Sequence, residues 1–299
     1  MESQASARLQ IILSMFIFGT IGILVHYIPL PSAAIAAVRG VIGTLFLLLF
    51  MLVTKKKLSF LAIKKKLLLL CISGGAIGIN WVLLFESYKY TSVSKATLCY
   101  YLAPVFVMIA SPIFLRERLT AKKTVCIICA LFGMVLVSGV LDSGFEGVSE
   151  LLGILLGVLA AMVYASVIIM NKKLGEIGSY DRTVIQLAAA SVVVIPYTLL
   201  AEDISVEVFT PLTIVLIIVV GAVHTGLAYT LYFGAIKRLE AQSVAICSYI
   251  DPVVAIILSA LILNEKMTVL GIIGSIMVLA STFVCEISFS ELKRKKNDE

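Results

Sequence analysis

The chain has 299 residues, 61% of them hydrophobic and 14% charged, with a mean hydropathy of +1.09. A soluble domain carries about a quarter charged and about half apolar residues, so this chain has more apolar surface than one water-facing fold can bury. At roughly 20 residues per spanning helix, ten spans leave about a third of the chain for connections. No connection is then long enough for a domain, which excludes an anchored soluble enzyme, a receptor with a large ectodomain and an attached nucleotide-binding module.

Apolar runs predict ten spans, near residues 9–28, 33–54, 67–88, 94–115, 122–140, 151–171, 182–201, 212–236, 241–263 and 268–288. Continuous runs of this length mean helices, because a lone helix satisfies its own backbone in lipid. The first is long enough to span and has no small-x-small cleavage site, so it reads as a helix and not as a cleaved signal peptide. The second carries Arg39 about six residues from its outer end, deep yet within snorkelling reach. It is a candidate to bind a substrate carboxylate, or else to pair with a buried acid.

The third span holds Asn80, Trp81 and Glu86, the last near its outer end. Glu86 is a candidate for substrate contact, for an exposed cap, or for a gate ion pair with Arg39 or Lys89. The spacings Gly74-x3-Gly78 and, in the sixth span, Gly153-x3-Gly157 suit close helix contact. The fourth span carries Tyr100, Tyr101 and Pro104. In the fifth, Cys126 and Cys129 form a C-x-x-C, but no second pair or histidine completes a metal site. All six cysteines lie in apolar runs and read as small packing residues, and no metal or cofactor is expected.

The sixth span adds Tyr164 and the seventh Gln186. The eighth has His224, a candidate proton relay or a hydrogen-bonded structural histidine, and Tyr229. His26, at the outer end of the first span, reads as solvated. The ninth has Tyr249, Asp251 and Pro252. Asp251 lies about ten residues into its span, near the bilayer centre, where polar groups face a cavity or one another. A desolvated carboxylate there suits proton coupling or cation binding; the alternative is a packing carboxylate bonded to neighbouring Tyr or Ser. Pro104 and Pro252 each remove a backbone donor, which suits a hinge, a substrate contact or a tolerated kink.

Basic residues orient the spans. With the N-terminus in the cytoplasm, 20 of the 24 lysines and arginines fall on that side, three outside, and Arg39 remains within a span. The net charge of +6 is thus distributed as in cytoplasmic loops, not as a nucleic-acid surface, and no nucleic-acid partner is expected. The expected setting is a bacterial-type plasma membrane, multi-pass, with both termini cytoplasmic.

A shift of 148 residues aligns YLAPVFVMIASPIFLRERLT (101–120) with YIDPVVAIILSALILNEKMT (249–268), and 11 of the 37 positions from 84 to 120 are identical. Searching for repeats is decisive here: the chain divides into residues 1–142, an outer connecting loop at 143–149, and 150–299 with a basic cytoplasmic tail. Each half has five helices, an odd number, so the second enters the membrane inverted. Trp81 and Tyr229 are repeat partners, as are Tyr101 and Tyr249. Aromatic rings so paired suit the lining of a site for a flat or cationic ligand, or ordinary interhelix packing. Glu117 and Glu265 close equivalent helices at opposite faces and read as caps or loop partners.

The paired stretches Pro104 to Glu117 and Pro252 to Glu265, each followed by a hydrophobic–Thr step (ERLT, EKMT), resemble the drug/metabolite transporter superfamily, in its ten-helix EamA-type form. The first helix FIFGTIGILV and Arg39 in AAVRGVIGTLF match as well. Phe18 departs from the tryptophan many relatives carry. The resemblance implies a basket of helices 1–4 and 6–9 around a central cavity, with 5 and 10 outside, and export or exchange of small metabolites.

The expected fold is therefore all-α and membrane-embedded: ten helices in two inverted repeats around a cavity, the architecture of secondary transporters. The partners expected are a small-molecule substrate, the lipid bilayer and protons, in a monomer or weak dimer. One buried carboxylate, one guanidinium and several aromatics suit a zwitterion such as an amino acid, provided both charges face the cavity. The competing classes are an integral-membrane enzyme and a channel. Neither has a motif here: no H-E-x-x-H, no G-x-S-x-G, no Walker sequence, no filter.

Overall fold

A computed structural model describes residues 4–56, 58–91, 96, 99–137, 147–175, 177–203, 208–262 and 269–286. The basic tail, Lys95, Glu265, Lys266 and most of the 143–149 connection lie outside them. Among the described residues the chain forms only helices and their connections. They are α1 (Gln4–His26), α2 (Ser32–Val53), α3 (Phe60–Tyr90), α4 (Ala103–Phe114), α5 (Ala121–Val137), α6 (Val148–Leu174) and α7 (Ser179–Ala201). Helix α8 covers Pro211–Ile236. Helix α9 is in two pieces, Ala241–Cys247 and Ile250–Ile262, and α10 is Val269–Glu286.

Six of these, α1–α3 and α6–α8, are long and apolar enough to cross a membrane by length and composition, and shorter apolar helices lie in α4, α9 and α10. Helices α3, α6 and α7 overrun the apolar stretches that predict them, whereas α4 covers only Ala103–Phe114 of the stretch predicted over 94–115. Helix α3 begins at Phe60 rather than near 67, because Lys64, Lys65 and Lys66 are exposed and lysine is a good helix former wherever water reaches it.

Two irregularities interrupt the helices. In α4 and α9 a turn comes immediately before the repeated proline: the Leu102 amide donates to the Cys99 carbonyl (3.1 Å) and the Tyr249 amide to that of Ile246 (3.1 Å). Pro104 and Pro252 therefore sit in the first turn of a fresh helical piece, where a missing N–H breaks no bond. In both helices the irregularity is this turn, and the hinge and kink readings attach to it. In α8, residues Val220–Leu227 are wound as a π-helix. Here α2 crosses closely: a Cβ on Gly221 would lie 2.5 Å from Ile42, and one on Gly226 2.8 Å from Phe46.

The main core lies between α1, α2, α3, α7 and α8, around Met15, Leu47, Trp81, Leu187 and Tyr232. Helices α5 and α10 pack on each other and beside α9, through Cys126, Ala130, Met134, Val253 and Val278. Helix α3 runs against α7 with almost no side chain between them. A Cβ on Gly74 would meet the Gln186 carbonyl at 2.6 Å, and one on Gly78 the Ala190 carbonyl at 2.8 Å. Gly74→Val should therefore destabilise by about 1–3 kcal/mol through overpacking, lowering the thermal midpoint in detergent by several degrees. Gly22→Ala, with nothing within 4 Å of its Cβ, should leave the midpoint unchanged.

Candidate functional site

A cavity of about 530 Å³ lies between the two halves, lined from α1 (Phe18 to Val25), α2 (Ser32 to Arg39), α3 (Trp81 to Tyr88), Tyr100 and Tyr101, Tyr164 of α6, Tyr229 of α8, and Asp251 and Ala255 of α9. It reaches toward the end of the bundle that carries His26, Ser32 and Tyr90. Its walls are aromatic. Phe18 stands edge-on to Tyr229 at 5.2 Å, Trp81 to Tyr229 at 6.3 Å, and Tyr100 is tilted against Tyr164 at 5.6 Å.

Two charges of opposite sign line this aromatic chamber. The Arg39 guanidinium lies over the Trp81 ring, 4.4 Å from its centroid, where the ring quadrupole holds a cation without neutralising it. Its Nε is buried without a hydrogen-bond partner, and the Tyr229 hydroxyl lies close to the guanidinium. Asp251 stands on α9 just after the helix break. Neither charge forms an ion pair among the described residues. Both are partly buried, and charges withdrawn from water are ordinarily paired, so the chamber is electrostatically unfinished.

The repeat partners Trp81 and Tyr229 touch across the two halves, and Tyr101 and Tyr249 pack at 6.3 Å. Residues related by a two-fold can meet only near its axis, so the pseudo-symmetry axis runs through the base of the cavity.

The model of the EamA-like transporter family matches the chain twice, over residues 5–139 and 151–286. The chain belongs to that family. It is 30% identical over 284 residues to the uncharacterized transporter YxxF of Bacillus subtilis (strain 168), covering 93% of this chain and 89% of the relative. It is 23% identical to the transporter YoaV of the same organism, over 88% and 90% of the two chains. Protein PecM of Dickeya dadantii is 21% identical over 74% and 73%. A solved crystal structure superposes with a TM-score of 0.84 at 16% identity, covering 95% of this chain and 97% of that one, which shows a shared fold.

In this EamA-like transporter the candidate residues separate into two groups. Asp251, Arg39, Trp81, Tyr229, Tyr101, Tyr100 and Tyr164 line the cavity; the others lie behind it. Asn80 donates to the Ala160 carbonyl at 2.7 Å, tying α3 to α6. Gln186 donates to Ser73 and, at 3.3 Å, to Asn171. Tyr249 is buried and donates to the Tyr101 carbonyl at 3.0 Å.

His224 lies in the π-wound turn, its Nε2 2.8 Å from Thr20 Oγ1 on α1. Glu86 pairs with Lys89 at 3.0 Å and accepts from Tyr197, and Lys89 also reaches Glu202 at 3.3 Å. Of the two cations proposed for Glu86, Lys89 is therefore its partner and Arg39 is not. Ser32, Leu84 and Tyr88 also line the chamber and carried no sequence signal; Phe85, one of the identities between the repeats, lines it too. Among the described residues no group of His, Cys, Asp and Glu could hold a metal.

The opposite end of the bundle is bound shut between the halves. Both carboxylate oxygens of Glu117, just past α4, accept from the Ala241 amide that begins α9, at 2.9 and 3.0 Å. A negative charge there also complements the helix dipole. Lys172 of α6 lies 3.6 Å from Glu117 and donates to the Leu239 carbonyl, while Lys123 of α5 pairs with Glu240. Glu117→Gln removes the charge from these contacts. Hydrogen exchange of amides 239–244 should rise about tenfold, as for one lost charge-assisted bond, with residues 26–32 unchanged. Equal exchange in both segments would show that the contact does not hold this end closed.

Proposed function

We propose that this protein is a secondary active transporter that exports small zwitterionic metabolites, amino acids foremost, across the plasma membrane by alternating access. The observation that carries this reading is the pair of uncompensated opposite charges, Arg39 and Asp251, in one cavity between inverted halves. Arg39, held flat by Trp81, receives the carboxylate in the bidentate geometry guanidinium favours. Asp251 receives the ammonium, and the tyrosines enclose the remainder.

A single carboxylate holds either the ammonium or a proton. Substrate and proton therefore compete at Asp251, and competition at one site on an alternating carrier produces antiport. With the termini in the cytoplasm, the end bearing His26 and Ser32 is the outer one, and the conformation described here faces outward. Pro104 and Pro252, each following a turn, mark where α4 and α9 would bend as the halves exchange.

The test is uptake of a labelled amino-acid mixture into proteoliposomes with and without a pH gradient. Antiport fixes the sign: an acidic interior should drive accumulation, an alkaline interior should not. Absence of amino-acid uptake by folded protein in either condition would overturn the zwitterion reading and leave the family membership intact.

A further inference from the structure

Behind the aromatic base of the cavity, toward the closed end, lies a second polar cluster of a different kind. Arg182, counted in the sequence among the cytoplasmic-side charges, is fully buried in α7. Its guanidinium donates to the carbonyls of Asn171 (3.2 Å), Gly175 (2.9 Å) and Phe233 (3.3 Å), and its Nε has no partner. No carboxylate neutralises it among the described residues; its neighbour Asp181 accepts instead from the Ser59 amide at 3.2 Å. One turn deeper, fully buried Gln186 leaves its Oε1 unpaired.

The inverted repeat says what such a cluster is for. Adding the repeat spacing of 148 to the cavity residues Leu84, Phe85 and Tyr88 gives Tyr232, Phe233 and Ile236. Adding it to Ile35 and Ala36 gives Thr183 and Val184. All five partners are closed off, Val184 at 4% exposure and the others at 1% or less. They are the second half's version of the cavity wall, on the side of the pseudo-axis now shut. Arg182 and Gln186 flank Thr183 and Val184 on α7, as Arg39 follows Ile35 and Ala36 on α2.

We propose that Arg182, with Gln186, is the anion subsite of an inner vestibule that opens when the closed end separates. There the guanidinium exchanges the Phe233 carbonyl for a substrate carboxylate. This rests on the alternating-access reading above. Capping the carbonyls at the end of α6 is Arg182's role while the vestibule is shut. A structural cap uses only the three carbonyl contacts; it leaves the buried Arg182 Nε and Gln186 Oε1 without partners, and a buried polar atom without a partner is costly.

The test uses thiol chemistry, with no substrate needed. In a variant whose six cysteines are replaced by alanine, Thr183→Cys is treated in inside-out vesicles with an anionic methanethiosulfonate (ethylsulfonate) and with a cationic one (ethyltrimethylammonium). Thr183→Cys should react from the inner face, with the anionic reagent favoured. Arg182→Gln should reduce that preference about tenfold, the effect of one unit charge on reagents of opposite sign at about 7 Å in water, while Arg182→Lys keeps it. Ile35→Cys, reacting from the outer face in the same backgrounds, reports that the protein is folded. If Ile35→Cys reacts and Thr183→Cys does not, the cluster is permanent packing and the vestibule is refuted. If Thr183→Cys reacts with a charge preference indifferent to residue 182, the anion subsite is refuted. A failure of amino-acid uptake alters neither reagent result, so it strikes the substrate reading alone.

Discussion

Arg39→Gln is expected to raise the substrate concentration for half-maximal counterflow by on the order of 100-fold, the effect of truncating one partner of a buried charge pair. The guanidinium is held over Trp81 at 4.4 Å and lines the cavity without an acid beside it, so its removal strands no buried carboxylate. The loss should appear in substrate affinity, with little change in thermal midpoint. Arg39→Lys should recover only part of it, because an ammonium is a point charge without the planar fork that grips both carboxylate oxygens. Trp81→Ala should act in the same direction by letting the guanidinium swing. Since both changes remove one arrangement, the double variant should be no worse than about the Arg39 variant alone. Additive losses would show two independent contacts. An unchanged half-maximal concentration in Arg39→Gln would refute the carboxylate anchor outright.

The ten helical tracts could be read from the sequence because lipid imposes one rule on every spanning segment: a long apolar run with its backbone satisfied internally. The inversion could be read because an odd number of helices per repeat leaves no other option. What faces what was harder to see. Along α2 or α8 the residues are apolar all round, so no polar stripe tells the cavity side from the lipid side. Asn80, beside the repeat-paired Trp81, and Gln186, one place from the repeat position of Arg39, read as cavity candidates, yet the first binds a neighbouring helix's carbonyl and the second neighbouring side chains. Ser32, Leu84 and Tyr88 line the chamber through the angles at which α2 and α3 lean on their neighbours. Those angles depend on glycine contacts such as Gly74 and Gly78 on α7, which sequence spacing suggests but does not aim. Arg182 misled for the opposite reason. A basic residue at the edge of an apolar run reads as a loop charge, and only the carbonyls at the end of α6 draw it inward.

Asp251→Asn is expected to abolish gradient-driven accumulation while leaving counterflow at saturating substrate within about threefold of the parent, the weakened ammonium contact appearing as a raised half-maximal concentration. An amide still accepts a hydrogen bond from a substrate ammonium but does not bind and release a proton in this range, so the carrier exchanges substrate for substrate and loses its exchange for protons. The sign can be checked in both directions: accumulation with an acidic interior should vanish, and the pH dependence of exchange should flatten. His224 is the competing site. It lies in the π-wound turn of α8, bonded to Thr20, behind the chamber wall and not in it. Coupling there would act by rearranging α1 against α8, not by competing with substrate. His224→Gln should then slow turnover yet keep the gradient dependence. If the gradient dependence instead disappears in His224→Gln and survives in Asp251→Asn, the proton travels behind the cavity. Substrate and proton would then bind at separate sites, and obligatory antiport would have to come from the conformational cycle and not from a shared carboxylate.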